Sequence, residues 1–481
     1  MKVVYKNIIP NISLLVGEIT AFALSTTIVL ILLPHVALQL LACFVIAYLI
    51  PRFIYSRSNI VHITGQWAIL IAALIIAIGI TINIWQFTEV MGGTISHPIL
   101  INNDSGRFYK VALAMYYGNE YGDSVAFLGF PFIISLIWKV TGVSILVPLF
   151  LNMLFTLLSI VISAFISVRL LSTEFEGKSR IIGSIAIIIT GSCCYYLGCG
   201  MIILKEPGLY LGVAMTGYSL TTIYRPRKRA TIKEWTDIII FAIGAIFIAL
   251  NRVAFCYVVI LGILLLTSYR SKQILRKAVL MFIIIVGITF IGNELATYGV
   301  SNQVEIAKGS KLETLYMTTA QQQAYGNIIG DYFHYPLWKR TVLLPVSMIT
   351  QYLIPFPWNF MRDTPFGYSQ IYSHFTYPWY LIGGIILFYY LFVGWKKKSN
   401  IGLWSVWALI CFSVPAFFFA GSVSRYWLPF LPLFVPSAVY VILSLYNNKN
   451  NQKLFTIFAK TYIIVLICTL LICHYLQKAN L

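Results

Sequence analysis

The sequence predicts an all-α polytopic membrane protein, with about 13 transmembrane helices and two large outer loops that contain interfacial helices. Apolar residues make up 59% of the 481 positions, and charged residues make up only 10%. A water-soluble core cannot bury this much apolar surface, which indicates that lipid is the solvent. Apolar runs of roughly 20 residues recur along the whole chain, and this favours helices over the alternating strands of a barrel.

The first predicted unit, residues 1–65, consists of two transmembrane helices near 12–33 and 36–55. Lys2 and Lys6 precede the first helix and no small-residue cleavage site follows it, so we expect a retained anchor. The second unit, residues 66–295, is the predicted transmembrane core together with the first outer loop. Its spans are expected near 66–87, 144–170, 181–200, 208–224, 237–252, 254–269 and 278–295.

Basic clusters predict which loops face the cytoplasm. Lys and Arg are concentrated in Arg225–Trp235, Tyr269–Lys277 and Trp395–Asn400, and cytoplasmic loops carry such an excess. This orientation places two large loops outside, residues 88–143 and 296–377. It also accounts for the net charge of +19, so no nucleic-acid partner is predicted.

Each outer loop contains one apolar stretch that is too short to be assigned as a span. Phe127–Gly142 and Leu344–Trp358 both contain Pro, and both fit interfacial or re-entrant helices better than membrane-crossing ones. The C-terminal unit, residues 378–481, then supplies the remaining transmembrane helices. These are expected near 378–394, 401–420, 428–446 and 455–476.

The eight cysteines lie in or beside apolar runs, which is typical of small buried hydrophobic residues. Cys193, Cys194 and Cys199 lack the spacing to a His that a zinc site has. The sequence therefore predicts no cofactor. A divalent metal is compatible with the chemistry considered below, but no ligand pattern indicates one.

Asp104 is the candidate catalytic carboxylate. It follows the third predicted span at a distance that places it at the outer boundary between water and lipid, where it can be ionised and can meet a lipid headgroup. Asp123 lies in the same predicted loop and is the alternative base. The non-catalytic interpretation of Asp104 is a helix N-cap residue, a position that Asp favours.

Three cations recur at one predicted depth on the outer side, namely Lys205, Arg252 and Arg425. An Arg in an apolar hairpin is costly unless an anion or carbonyl groups receive it, and converging Lys and Arg side chains bind phosphate. We therefore expect these residues to bind the phosphate of a lipid carrier. Anchoring to lipid headgroups, and an ion pair between Lys205 and Glu206, remain open as simpler explanations.

An aromatic, Pro-rich run closes the second outer loop. Its rings, above all Trp358, Tyr368, Tyr372 and Trp379, could stack on sugars, although such runs more often form an interfacial belt.

These segments together resemble GT-C type glycosyltransferases. The stretch from Asp104 through "RFYKVALAMYYGNEYGD" to "GFPFIISLIWKVTG", the motif "AIFIALNRVAF" and the closing "SRYWLPFLPLF" are similar in layout to that family across roughly residues 66–446. Within that family the resemblance points to transferases that take a sugar from a polyprenyl phosphate, such as the protein O-mannosyltransferases and the lipid A aminoarabinose transferase family. In the mannosyltransferases a second acid follows the catalytic Asp, whereas this chain has Ser105 there.

The resemblance implies a GT-C-like core in which Asp104 is catalytic and Lys205, Arg252 and Arg425 hold the phosphate of the carrier. Tyr109, Glu206, Trp358, Tyr372 and Tyr426 would contact the sugar or the acceptor. The implied partners are a polyprenyl-phosphate-linked sugar donor, a glycan, lipid or protein acceptor, and membrane lipids. The site would face the outer side of the cytoplasmic membrane.

A phosphate is already a stable leaving group, so one carboxylate acting as general base suffices for an inverting transfer. Three other functions remain open from the sequence. They are a polysaccharide polymerase or ligase that uses a polyprenyl-diphosphate-linked glycan, a lipid-linked sugar flippase or other transporter, and a structural membrane subunit.

Overall fold

The computed structural model describes residues 2–100, 103–119, 129–224, 232–252, 254–267, 278–289, 400–418 and 427–479, with a few short pieces between 336 and 390. These ranges are almost entirely helical and contain no β-strand. The predicted all-α class is confirmed for this part of the chain, while the full number of spans and the architecture of the outer loops stay predictions. Seven described helices are long and apolar enough to cross a membrane, namely Ile12–Leu32, Pro34–Ser56, Ile63–Val90, Leu146–Leu171, Trp235–Arg252, Leu428–Asn447 and Lys449–Ile472.

The helices are numbered in chain order up to residue 267. They are α1 (Lys2–Leu32), α2 (Ala37–Ser56), α3 (Ile63–Trp85), α4 (Asn103–Tyr117), α5 (Gly129–Thr141), α6 (Leu146–Leu171), α7 (Ser179–Gly191), α8 (Cys194–Cys199), α9 (Glu206–Tyr224), α10 (Ile232–Arg252) and α11 (Ala254–Thr267). Further helices are Ala278–Thr289, Asn400–Phe418, Leu431–Asn447 and Lys449–Ala479. A π-helical turn, Gln86–Val90, extends α3, and a 3-10 turn, Leu428–Phe430, precedes the helix Leu431–Asn447.

The centre of the bundle is α6, which packs against α2, α3, α7, α9 and Leu431–Asn447. Its side chains are buried around almost the whole helix, as expected for a helix surrounded by others. By contrast, α1, α2 and Lys449–Ala479 expose many large apolar side chains. These outer helices present the surface that lipid would cover.

Glu18 is a charged residue within the first predicted span, and the structure gives it two partners on α2. Arg52 forms an ion pair with its carboxylate, and Tyr48 donates a hydrogen bond of 2.6 Å to Glu18 Oε1. A charge in an apolar span is tolerated when it is paired in this way. The pair therefore fastens α1 to α2.

The predicted span 181–200 is interrupted in the structure. Helix α7 ends at Gly191, Cys193 has an extended backbone, and the short α8 begins at Cys194. Ser192 donates a side-chain hydrogen bond of 3.0 Å to the Ile189 carbonyl, which competes with continuation of the helix. The hydropathy of this stretch stays high through the interruption because the cysteines are apolar, and this is why the sequence indicated one continuous helix.

The antiparallel helices α9 and α10 approach each other closely at two glycines. A Cβ added at Gly244 would lie 2.9 Å from the carbonyl oxygen of Gly212 and 2.9 Å from the backbone nitrogen of Thr216. We expect Gly244→Ala to lower the free energy of unfolding by about 1–3 kcal/mol, because backbone atoms cannot move aside without separating the helices.

Gly287 is the matched control for this substitution, since a Cβ there meets nothing within 4 Å. Gly287→Ala should be neutral or stabilise by up to ~1 kcal/mol, through better helix propensity. Equilibrium unfolding of the two variants in the same detergent or bilayer checks the prediction. Equal effects of the two substitutions would contradict the close contact of α9 with α10.

Candidate functional site

Asp104 lies in the first turn of α4, which begins at Asn103. The helix thus begins one residue before Asp104 and includes it, and a carboxylate in a first turn is stabilised by the positive end of the helix dipole. Gly118, with φ of +72°, terminates the helix. Phe108 lies one turn after Asp104 and is buried, so the two side chains occupy the same face of α4.

Buried aromatic contacts hold α4 against α5. The ring of Phe108 packs edge-on against Phe130 at 6.3 Å between centroids, and Tyr109 packs edge-on against Trp138 at 5.0 Å. The Tyr109 hydroxyl donates a hydrogen bond of 2.8 Å to the Ser96 carbonyl, and burial raises the pKa of this phenol. Tyr109 therefore orients α4, and its hydroxyl proton is already donated within the protein.

Lys205 and Glu206 lie at the junction between a non-helical segment, Gly200–Lys205, and helix α9. Both side chains are buried, with 7% and 5% of their surface exposed. The Lys205 Nζ lies 5.6 Å from the centroid of the Phe108 ring, within the range of a cation–π contact. This contact brings Lys205 against the face of α4 that begins with Asp104.

Two buried asparagines fix the backbone of the segment that ends at Lys205. Asn83 on α3 donates a hydrogen bond of 2.8 Å to the Met201 carbonyl. Asn152 on α6 donates two, of 2.6 Å to the Ile202 carbonyl and 2.9 Å to the Leu204 carbonyl. Sequence reasoning missed both residues, although a lone Asn inside an apolar span is a signal that could have found them.

The C-terminal end of α10 lies at the same end of the bundle. Asn251 is buried against Gly208 in the first turn of α9, and Leu250 packs directly against Gly129 at the start of α5. Arg252, the last residue of α10, places its guanidinium carbon 5.4 Å from the centroid of Phe255. The starts of α4, α5 and α9 and the end of α10 thus surround one region, which we call the Lys205 end.

The ring of Phe255 also stacks on Phe430 at 4.8 Å between centroids. Phe430 belongs to the turn Leu428–Phe430, which comes shortly after the predicted site residues Arg425 and Tyr426 in the sequence. This stacking connects the neighbourhood of Arg252 to the start of the helix Leu431–Asn447.

Several buried oxygen atoms at the Lys205 end have no hydrogen-bond donor within the described part of the chain. They include Glu206 Oε2 and Asn251 Oδ1. Buried acceptors without donors are costly, and they are found where water or a ligand supplies the donor. The missing donors at the Lys205 end are therefore supplied by water, by a ligand or by residues outside the described ranges.

The described residues include five of the predicted site residues: Asp104, Tyr109, Lys205, Glu206 and Arg252. The structure brings the elements that carry all five to the Lys205 end. The other predicted site residues lie outside the described ranges, namely Asp123, Trp358, Tyr372, Arg425 and Tyr426, with Tyr368 and Trp379. Across the described side chains, no group of three or more His, Cys, Asp or Glu residues could hold a metal ion.

The fold and these contacts define the class of protein as an α-helical polytopic membrane protein with a buried polar region at one end of the bundle. Comparisons with protein families, curated proteins and solved structures find no match to this chain. The resemblance to GT-C enzymes therefore stays a prediction.

Proposed function

We propose that this protein is an integral membrane glycosyltransferase that moves a sugar from a polyprenyl-phosphate carrier to an acceptor hydroxyl at the outer membrane face, with inversion. The observation that carries this proposal is the contact of Lys205 with Phe108, one turn after Asp104 on α4. It supports a site in which a cation for a phosphate lies beside the helix that carries the acid.

In this mechanism Asp104 accepts the proton of the acceptor hydroxyl as general base. The acceptor oxygen forms a bond to the anomeric carbon while the bond from that carbon to the phosphate oxygen breaks. The bonding electron pair leaves with the polyprenyl phosphate, so no acid has to protonate the leaving group. Lys205 and Arg252 stabilise the negative charge that develops on this phosphate.

One observation favours a second candidate, a flippase for a lipid-linked sugar. The interruption between α7 and α8 and the buried non-helical segment Gly200–Lys205 are features of transporters, which bind substrates at broken helices. However, Asn83 and Asn152 occupy three carbonyls of this segment, which leaves those groups less available to a transported substrate. We therefore rank the transferase first.

A binding and transfer experiment separates these functions. The full-length protein in nanodiscs is supplied with polyprenyl-monophosphate sugars or with diphosphate-linked glycans, and sugar transfer is measured together with movement of the donor across the bilayer. Transfer from the monophosphate donor supports the proposal. Transfer from the diphosphate donor alone indicates a polymerase or ligase, and movement without transfer indicates a flippase.

The Lys205→Gln variant tests the phosphate contact. We expect it to weaken binding of a polyprenyl monophosphate by about ten- to a hundredfold, since a hydrogen bond to a charged group contributes about 1.5–3 kcal/mol. Lys178→Gln is the charge-matched control, because Lys178 contacts Asn447 at the opposite end of the bundle. If the two variants bind the polyprenyl monophosphate with equal affinity, Lys205 does not bind the phosphate.

A further inference from the structure

Asn83 and Asn152 converge from different helices on one short segment of backbone. Asn83 belongs to α3 and Asn152 to α6, and both side chains have 0% of their surface exposed. Their three hydrogen bonds, of 2.6 to 2.9 Å, end on carbonyls that lie one to four residues before Lys205. The two side chains therefore hold this segment from two different helices.

The backbone is also fixed at both ends of this segment. At its start, Gly200 fits tightly against α6, where an added Cβ would lie 2.8 Å from Thr156 Oγ1. At its end, the Lys205 carbonyl accepts the backbone hydrogen bond of Leu209, at 3.2 Å, which begins α9. The backbone is therefore anchored on both sides of Lys205, and the ammonium group of Lys205 is directed toward Phe108.

Helix packing by itself does not explain the two asparagines, because burying them has an energetic cost. In each of them the amide nitrogen is used, whereas Asn83 Oδ1 and Asn152 Oδ1 are buried with no hydrogen-bond partner among the described residues. An apolar side chain would avoid that cost between helices. What the amides add is a defined position for the non-helical backbone, and this position matters most for the residue that follows it.

We propose that Asn83 and Asn152 are positioning residues that hold the segment Gly200–Lys205 so that the Lys205 ammonium group meets the phosphate of a lipid carrier. This inference rests on the proposed function. It assigns the two asparagines no contact with the substrate. Their effect on phosphate binding is transmitted through Lys205.

The test measures equilibrium binding of a polyprenyl monophosphate to the full-length protein in nanodiscs, with the uncharged polyprenol as the control ligand. Asn152→Leu keeps the side-chain size and the net charge but removes both hydrogen bonds. We expect this variant to bind the phosphate about tenfold more weakly and the polyprenol unchanged, since a small displacement of a binding group costs this much.

Ser163→Ala is the matched structural control. Ser163 lies on α6 like Asn152, is fully buried, and forms a hydrogen bond of 2.8 Å with Thr190, toward the other end of the helix. It should lower the melting temperature without changing phosphate affinity. If Ser163→Ala weakens phosphate binding as much as Asn152→Leu does, the effect is one of general stability and the inference is wrong.

A double-mutant cycle identifies the route of the effect. If Asn152 acts through Lys205, Asn152→Leu should weaken binding no further once Lys205→Gln is present. Full additivity of the two substitutions would overturn the inference, and so would wild-type affinity of Asn152→Leu. In either case, weaker binding by Lys205→Gln would still support the proposed function. Failure of Lys205→Gln itself to weaken binding would instead refute the phosphate site. Should Asn152→Leu not fold, Asn83→Leu, which removes one hydrogen bond, carries the same test.

Discussion

Asp104→Asn is expected to slow sugar transfer by about 10²- to 10⁴-fold, the contribution typical of a general base. The substitution keeps the size and shape of the side chain in the first turn of α4. It removes the group that accepts the proton of the acceptor hydroxyl, because an amide nitrogen has no available lone pair. Binding of the polyprenyl-phosphate donor should change little, since Asp104 is assigned to the acceptor.

The measurement is release of polyprenyl phosphate under single-turnover conditions, with donor affinity measured separately. Glu89→Gln is the control. Glu89 is an acid in the π-helical turn that extends α3, is 46% exposed in its side chain, and lies 3.7 Å from His35. It should retain the wild-type rate, because Glu89 lies beside His35 and is assigned no part in the transfer.

Asp123→Asn completes this set, since Asp123 is the alternative base. Loss of transfer in Asp123→Asn with full transfer in Asp104→Asn would move the catalytic role to residue 123. Full transfer in both variants would show that neither acid is the base.

Local hydropathy was sufficient to predict the seven long apolar helices that the structure describes. The spans predicted near 66–87, 144–170 and 237–252 correspond to the described spans Ile63–Val90, Leu146–Leu171 and Trp235–Arg252. Each of these runs is apolar over its whole length, so its preference for lipid does not depend on what packs against it. Alternation of the spans across the membrane then brought Lys205 and Arg252 to one predicted side.

The burial of Lys205 and Glu206 could not be read from hydropathy. The sequence indicated a short connection at the membrane surface, whereas the structure places it beneath α4. Burial here depends on contacts between distant parts of the chain, such as that of Lys205 with Phe108 on α4, about a hundred positions earlier. A pattern of apolar residues within one window contains no information on such contacts.

The asparagine contacts were unpredictable for a related reason. A hydrogen bond from Asn83 to Met201, or from Asn152 to Leu204, exists only when the segment between α8 and α9 leaves the helical conformation. The sequence shows that Asn in an apolar span needs a partner. It does not show which of the many backbone groups in the bundle is that partner.

The largest expected effect on stability is at the end of the bundle opposite Lys205. Both terminal nitrogens of Arg169, near the end of α6, lie 3.2 Å from Asp237 Oδ1 on α10. The guanidinium carbon also lies 3.7 Å from the centroid of the Tyr218 ring on α9. Because Asp237 has only 5% of its surface exposed, this ion pair joins three helices in a poorly hydrated position.

Asp237→Ala is expected to lower the free energy of unfolding by about 3–5 kcal/mol, because it leaves the mostly buried Arg169 cation without its counter-charge. The double variant Arg169→Met with Asp237→Leu should recover most of that loss, since two apolar side chains of similar volume need no charge compensation. Reversible unfolding in bilayers or mixed micelles, with the single and double variants side by side, measures both effects. A single variant as stable as the wild type would mean that the pair is solvated and contributes little to holding α6, α9 and α10 together. A double variant no more stable than the single would show that the loss does not come from the uncompensated Arg169 charge. Phosphate binding at the Lys205 end should be unchanged in the double variant, because the ion pair lies at the far ends of the same helices.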